Sequence, residues 1–161
     1  MKNLKAKDIM NSGVITVRDD MSVHNLANFF TDRMISGAPV VDKNGKLIGV
    51  VSLSDIVRND ARRTAIVEEQ LDASYYLHGW EDKLNDEDVQ QLHLEQNDGL
   101  TIRDIMTPLI FKVSEETSLA EMADTMIGGR IHRLIVTNND EVVGIVTTLD
   151  MLQAIRSNAE K

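Results

Sequence analysis

Gly144-Ile145-Val146-Thr147-Thr148-Leu149-Asp150 is an apolar run that ends in two hydroxyls and, three residues past Thr147, a carboxylate. Gly49-Val50-Val51-Ser52-Leu53-Ser54-Asp55 is the same stretch written once before, 95 residues earlier. Outward from this pair the correspondence continues. Upstream of a single deletion the offset becomes 96, and there Asp8-Ile9-Met10 meets Asp104-Ile105-Met106. At the same offset Val17 meets Val113, Ser22 meets Ser118, Ala27 meets Ala123, Ile35 meets Ile131 and Val40 meets Val136. Matches sustained over about fifty residues, with one gap falling in a turn, mark an internal duplication.

Each copy has the same periodicity. Val14–Val17 and Leu109–Val113 are short β-rich runs. A helix follows in the second copy, where Ser118 and Glu121 make a capping box. Leu119, Met122, Ala123 and Met126 then fall at i, i+3, i+4 and i+7, one apolar face. The first copy offers Ser22 as cap and Val23, Leu26, Ala27, Phe30 and Met34 as stripe. Gly128-Gly129 suits a helix C-terminus. Ala38–Val41 and Leu47–Val51 form a hairpin around Asp42-Lys43-Asn44-Gly45-Lys46, where Asn-Gly favours positive φ. Leu134–Val136 and Val142–Val146 repeat it around Asn138-Asn139-Asp140-Glu141. A second helix is predicted near Asp55 and near Asp150, with either residue as its cap.

The fold class is therefore α/β (α+β): two β-α-β-β-α repeats, 1–60 and 99–161. Each is too small to bury two faces alone, so the copies should pack together. Residues 61–98 belong to neither copy. They read as a helical acidic insert: Ala61–Leu77 extends a helix, Asp86–Gln96 forms a short one ended by Gly99, and Tyr75 and Trp80 are packing anchors.

Composition narrows the function. Of 161 residues 42% are hydrophobic and only 4% aromatic, so the core must be aliphatic. No apolar run approaches the roughly 20 residues of a membrane span, and the N-terminus lacks the apolar stretch of a secretory leader. With no cysteine, disulfides, zinc–thiolate sites and thiol catalysis are excluded, and the cytoplasm is the expected compartment. The net charge of −9 resides in residues 68–98, where ten acids face one base, Lys83. No basic stripe offsets it, which argues against nucleic acid. His24, His78, His93 and His132 lack ligand spacing, and Asp86-Glu87-Asp88 lacks that of a calcium loop. No glycine-rich phosphate loop, nucleophile elbow or HExxH motif occurs, so neither a metal nor catalysis is expected.

The strand that ends at Thr147 suits a nucleotide. A hydroxyl and backbone N–H groups at the positive end of a helix can bind phosphate. A carboxylate three residues on can accept both ribose hydroxyls. The same two residue types serve equally as a simple helix cap. At this level both readings stand.

Both copies resemble the CBS domain family, named for cystathionine β-synthase. The resemblance is carried by the two Asp-Ile-Met starts, by Ala38-Pro39-Val40-Val41 and by the two strand-to-Asp segments. It implies a pseudo-twofold pair of repeats, a Bateman module, with two clefts that take AMP, ADP, ATP or S-adenosylmethionine as regulatory ligand. It also implies assembly as a homodimer. By the resemblance, Asp150 and Asp55 contact ribose, while Thr147 and Ser52 face phosphate. Leu109, Ile110, Leu134, Ile135, Ala38 and Pro39 are assigned to the adenine pocket on the same ground.

The copies differ in one respect. Arg130-Ile131-His132-Arg133-Leu134 resembles the stretch with which the gamma subunit of AMP-activated kinase holds phosphates, which assigns His132 and Arg133 to phosphate. Pairing of these two with surface carboxylates is the alternative. Met34-Ile35-Ser36-Gly37-Ala38 offers no cation at the matching place. Ile135 departs from the proline frequent in the family after Leu134. The expectation is an adenine-nucleotide-binding regulatory module, not an enzyme, that serves an unidentified protein. A scaffold or dimerisation module with empty clefts, and a sensor of an S-adenosylmethionine- or NAD-type ligand, are the alternatives.

Overall fold

The computed structural model describes residues 4–64, 99–108 and 110–159. The expected Tyr75 and Trp80 anchors, the Asp86–Gln96 helix and Leu109 lie outside these residues. The first repeat contains α1 (Ala6–Ile9), β1 (Val17–Arg18), α2 (Val23–Arg33), β2 (Gly37–Val41), β3 (Leu47–Ser52) and α3 (Leu53–Thr64). The second contains α4 (Ile102–Ile105), β4 (Lys112–Ser114), α5 (Leu119–Gly129), β5 (Arg133–Asn138), β6 (Glu141–Thr147) and α6 (Thr148–Ala159). In each repeat a parallel pair and an antiparallel pair make a three-stranded sheet, β1-β2-β3 or β4-β5-β6. The fold is mixed α+β in two copies, as the periodicity implied.

Local chemistry explains the boundaries. Ser118 accepts the Glu121 N–H at 3.3 Å and its own N–H donates to the Glu121 carboxylate at 2.9 Å, the reciprocal box read from sequence. Ser22 caps α2 through the Asn25 N–H at 3.2 Å. Gly128-Gly129 does not supply the left-handed stop. Helix α5 runs through Gly129 and Arg130 takes that conformation (φ 51°), as Met34 does after α2 (φ 52°). Of the first turn only Gly45 has positive φ (80°), because Asp42 Oδ1 holds it by accepting the Asn44 and Lys46 N–H groups. Asn139 (φ 50°) and Asp140 (φ 67°) both turn left-handed, as a two-residue hairpin turn requires.

The first strand of each repeat is shorter than its β-rich run. Ile135 donates its N–H to Phe111 O at 3.2 Å, and β4 pairs with β5 from Lys112↔Ile135 onward. Pro39, at the matching place in β2, has no N–H to give, and pairing with β1 starts one residue later at Val17↔Val40.

The two copies exchange their first helices. Ala6 N–H donates to Thr117 O at 2.8 Å and Leu119 N–H to Leu4 O at 3.0 Å, so α1 docks at the start of α5. Ile102 N–H donates to Met21 O at 2.9 Å and Val23 N–H to Leu100 O at 3.0 Å, so α4 docks at the start of α2. A second reciprocal pair follows. Asn11 and Ile145 exchange N–H···O bonds at 2.9 and 3.0 Å, and Thr107 and Val50 do so at 2.8 and 2.9 Å. Every bond of one set lies 95 or 96 residues from its mate, which is the signature of a pseudo-twofold axis. The cores follow the exchange. Ile102 is fully buried with Val23, Leu26, Phe30 and Ile56 of the first repeat. Ala6 and Val50 are buried with Met122, Leu134 and Val146 of the second. Burying a side chain such as Ile102 contributes about 1.5–3 kcal/mol, and here that sum ties one repeat to the other.

Charges brace both junctions. The buried Asp19 carboxylate at the end of β1 accepts from Arg103 Nε at 2.8 Å and from its terminal guanidinium nitrogen. At the matching end, Lys5 and Lys7 both bond the exposed Glu116 carboxylate. Those two bonds hold the Glu116 carboxyl down to about 2, from the usual 4.5. A carboxyl depressed in the folded state stabilises fully above its ordinary value and loses that contribution as the pH falls towards 2. A carbon-13 titration should therefore find a Glu116 midpoint near 2, returning towards its ordinary value when Lys5 and Lys7 are both alanine. An ordinary midpoint in the unmodified chain would show that α1 is not clamped this way.

Candidate functional site

Helices α3 and α6 begin at Leu53 and Thr148, two residues before the expected aspartates. Ser52 and Thr147 therefore stand at the N-cap positions, each bonded to the carboxylate three residues on, and Thr147 and Asp150 complete a reciprocal capping box. Thr147 donates to Asp150 Oδ2 through its N–H (2.8 Å) and Oγ1 (2.7 Å), and the Asp150 N–H returns to Thr147 Oγ1 at 3.3 Å. Ser52 donates to Asp55 Oδ2 in the same way, at 2.8 Å from N–H and 3.0 Å from Oγ. In this structure the side chains adopt the capping geometry.

That geometry engages one carboxylate oxygen and leaves the other to distinguish the copies. Arg58 Nη1 lies 3.7 Å from Asp55 Oδ1. Asp150 Oδ1 has no partner among the described residues. Asp55 is 7% exposed, and burial pushes its carboxyl up, against the pull of the Ser52 bonds and the Arg58 charge. Asp150 is only half-buried.

The structure brings the second-repeat residues into one corner. Arg133 opens β5 directly across from Thr147 in the antiparallel register. It is 5% exposed, a buried cation rather than a solvated one. His132 is exposed; its carbonyl accepts the Thr148 N–H at 3.0 Å and its Nδ1 lies 3.5 Å from Thr148 Oγ1. The first repeat has the same frame with other side chains: Ser36 O accepts the Leu53 N–H at 2.9 Å, and Gly37 lies across from Ser52.

The residues assigned to adenine are distributed differently. Leu134 and Ala38 are buried in the two cores, Ile135 nearly as deeply, and Pro39 is buried in β2. Ile110 is half-buried against the second core. Leu109 lies outside the described residues. Arg58 is not among the residues the sequence singles out; the cation missing from the first copy is missing only at the place that matches Arg133. The signal for Arg58 is the i, i+3 spacing to Asp55 on one helix; Gln153 stands at the matching place in α6. Among the described residues no group of His, Asp and Glu is placed to hold a metal, and no helix is long and apolar enough to cross a membrane.

The sequence model of the CBS domain matches residues 6–62 and again 102–157. The chain belongs to the CBS domain family. Its two copies are thus a pair of CBS repeats, as the resemblance implied. An uncharacterised protein of Methanocaldococcus jannaschii is 30% identical over 157 residues, 92% of this chain and 89% of that one. Against two longer curated relatives the chain spans 34% and 40% of their length. Solved CBS pairs share the fold. CBSX2, crystallised with AMP, has a TM-score of 0.65 at 21% identity, covering 96% of this chain and 98% of that one. The CBS domain pair of protein MJ0100, in complex with 5'-methylthioadenosine and S-adenosylmethionine, has a TM-score of 0.64 at 22% identity, covering 97% and 98%.

Proposed function

We propose that this CBS pair is a regulatory module that binds an adenine nucleotide at the second repeat. One observation carries the reading: Arg133 lies across from Thr147 in the β5–β6 register, and Thr147 caps the turn that carries Asp150, one of whose oxygens has no partner among the described residues. That oxygen suits a ribose hydroxyl. Arg133, with the Thr147 hydroxyl once it turns from its capping bond to Asp150, suits a phosphate at the positive end of α6, because an arginine stays charged and binds an oxyanion by two parallel bonds. The adenosyl ligands of CBSX2 and of protein MJ0100 support the ligand class. Titration calorimetry with AMP, ATP, S-adenosylmethionine, NAD and adenosine tests it. A phosphate-bearing adenine nucleotide is expected to bind more tightly than adenosine. No heat from any of the five would remove the reading and leave a scaffold with empty clefts.

The module is proposed to work as a homodimer through the second repeat. On α6, Leu149 (62% exposed), Leu152 (58%) and Ile155 (47%) form a stripe at i, i+3 and i+6. Ile127 of α5 is a further exposed apolar side chain of this repeat (75% exposed). The other exposed residues of this helix face are Gln153, Arg156 and Ser157, so the chain's net negative charge does not oppose a second copy here. Light scattering at micromolar concentration should give twice 18.0 kDa, and Leu152→Glu should return the mass to 18.0 kDa. An unmodified chain that scatters only as the single mass would exclude this interface.

A further inference from the structure

The two hydroxyl–aspartate pairs are equivalent by symmetry yet differ at the second carboxylate oxygen. Asp150 Oδ2 is held by Thr147 and Oδ1 is unengaged among the described residues. Asp55 Oδ2 is held by Ser52, and Oδ1 already faces the Arg58 guanidinium. The pair is shielded: the Asp55 side chain is 6% exposed and the Arg58 side chain 22%. A shielded pair is screened far less than a surface one. A ribose that approached Asp55 would have to displace the Arg58 guanidinium and leave the buried carboxylate without its cation, which binding by two neutral hydroxyls does not offset. No such displacement is needed at Asp150, where Gln153 replaces the arginine.

We infer that Arg58 closes the first ribose site by occupying Asp55, and so limits the module to one nucleotide per chain. This rests on the proposal that the Thr147/Asp150 corner binds an adenine nucleotide. Arg58 acts on stoichiometry, not on the second site. Its removal opens a site of different character. Gly37 stands where Arg133 stands in the second repeat, so the opened first site holds ribose without a phosphate-binding arginine. AMP and adenosine bind it alike, whereas the second site prefers AMP.

Calorimetry of AMP into the full chain tests this, with a thermal melt of each variant as the fold control. One equivalent is expected for the unmodified chain, one much weaker event for Asp150→Ala, and two for Arg58→Gln. The double variant Arg58→Gln/Asp150→Ala should recover one event, with affinity at least ~10-fold above that of Asp150→Ala and little difference between AMP and adenosine. Two equivalents in the unmodified chain, or one retained by Asp150→Ala at undiminished affinity, would overturn the inference, and neither arm alters Arg58. A folded double variant that binds nothing would overturn it as well. Should the unmodified chain bind no AMP, the second-site proposal fails by itself: Arg58→Gln that then gains one event sustains the inference, and Arg58→Gln that gains none ends both.

Discussion

Arg133→Ala is expected to weaken AMP binding by roughly 10- to 150-fold and to leave adenosine binding unchanged, whereas Asp150→Ala weakens both ligands. The range follows from about 1.5–3 kcal/mol for a hydrogen bond to a charged group, at about 1.4 kcal/mol per decade of affinity. In the proposed site the two residues serve different parts of the ligand: Arg133, across from Thr147 in the register, would meet the phosphate end, and Asp150 would offer its second oxygen to the ribose. A residue that merely caps α6 cannot produce this split, because a looser helix turn harms adenosine and AMP together. Two titrations per variant decide it. Equal losses for both ligands on Arg133→Ala would remove its phosphate role, and unchanged AMP binding in both variants would remove the site. Since Arg133 is buried, Arg133→Lys is a useful companion: it keeps the charge but not the paired bonds, and should fall between the parent and the alanine variant.

The second large effect is on stability. Gly49→Ala is expected to cost about 2–3 kcal/mol, within the usual range for overpacking. A Cβ at Gly49 would sit 2.9 Å from the Thr107 backbone oxygen and 3.0 Å from Met106 Sδ. The Thr107 carbonyl cannot retreat without breaking its bond to the Val50 N–H at 2.9 Å. At Gly144, the symmetry mate, a Cβ would collide with Met10 Sδ and come within 2.9 Å of its Cγ. A thioether can swing away, so Gly144→Ala should cost less. Thermal denaturation of the two variants side by side checks the order, with a fall of several degrees for Gly49→Ala. Gly144→Ala equal to or worse than Gly49→Ala would show that the methionines, not the carbonyl, set the limit.

Much of this architecture is legible in the sequence because duplication makes each copy a control on the other. The Ser118/Glu121 box, the apolar stripe of α5 and the Gly45 turn follow from spacing alone, since they depend on neighbours within five residues. The exchange of α1 and α4 is not legible in that way. Asp8-Ile9-Met10 announces itself as the start of a copy, but nothing local says that Ala6 is buried in the other copy. The two strand glycines were read as part of the repeat and not as the place where Met10 and Met106 cross. At the site, the hydroxyl-x-x-Asp spacing is the same for a cap and for a nucleotide, and the structure shows one carboxylate oxygen serving the cap. Arg58 carries no signal in the repeat pattern, because the second copy has Gln153 at its place; it lies one turn along the helix from Asp55, away from the strand side where Arg133 stands.

The exchange of first helices also sets a timetable for synthesis. When residue 64 leaves the ribosome, the first repeat has its sheet and both long helices but lacks Ile102, which completes its interior. At about 5–20 residues per second, the missing helix arrives a few seconds later. Through that interval the nascent first repeat carries an open apolar slot beside Val23 and Leu26, which α4 then fills. Its partner α1, made first, waits longer still, until the start of α5 at Leu119 has been made. The acidic segment 68–98 is made within this gap, and its like charges keep the waiting chain soluble.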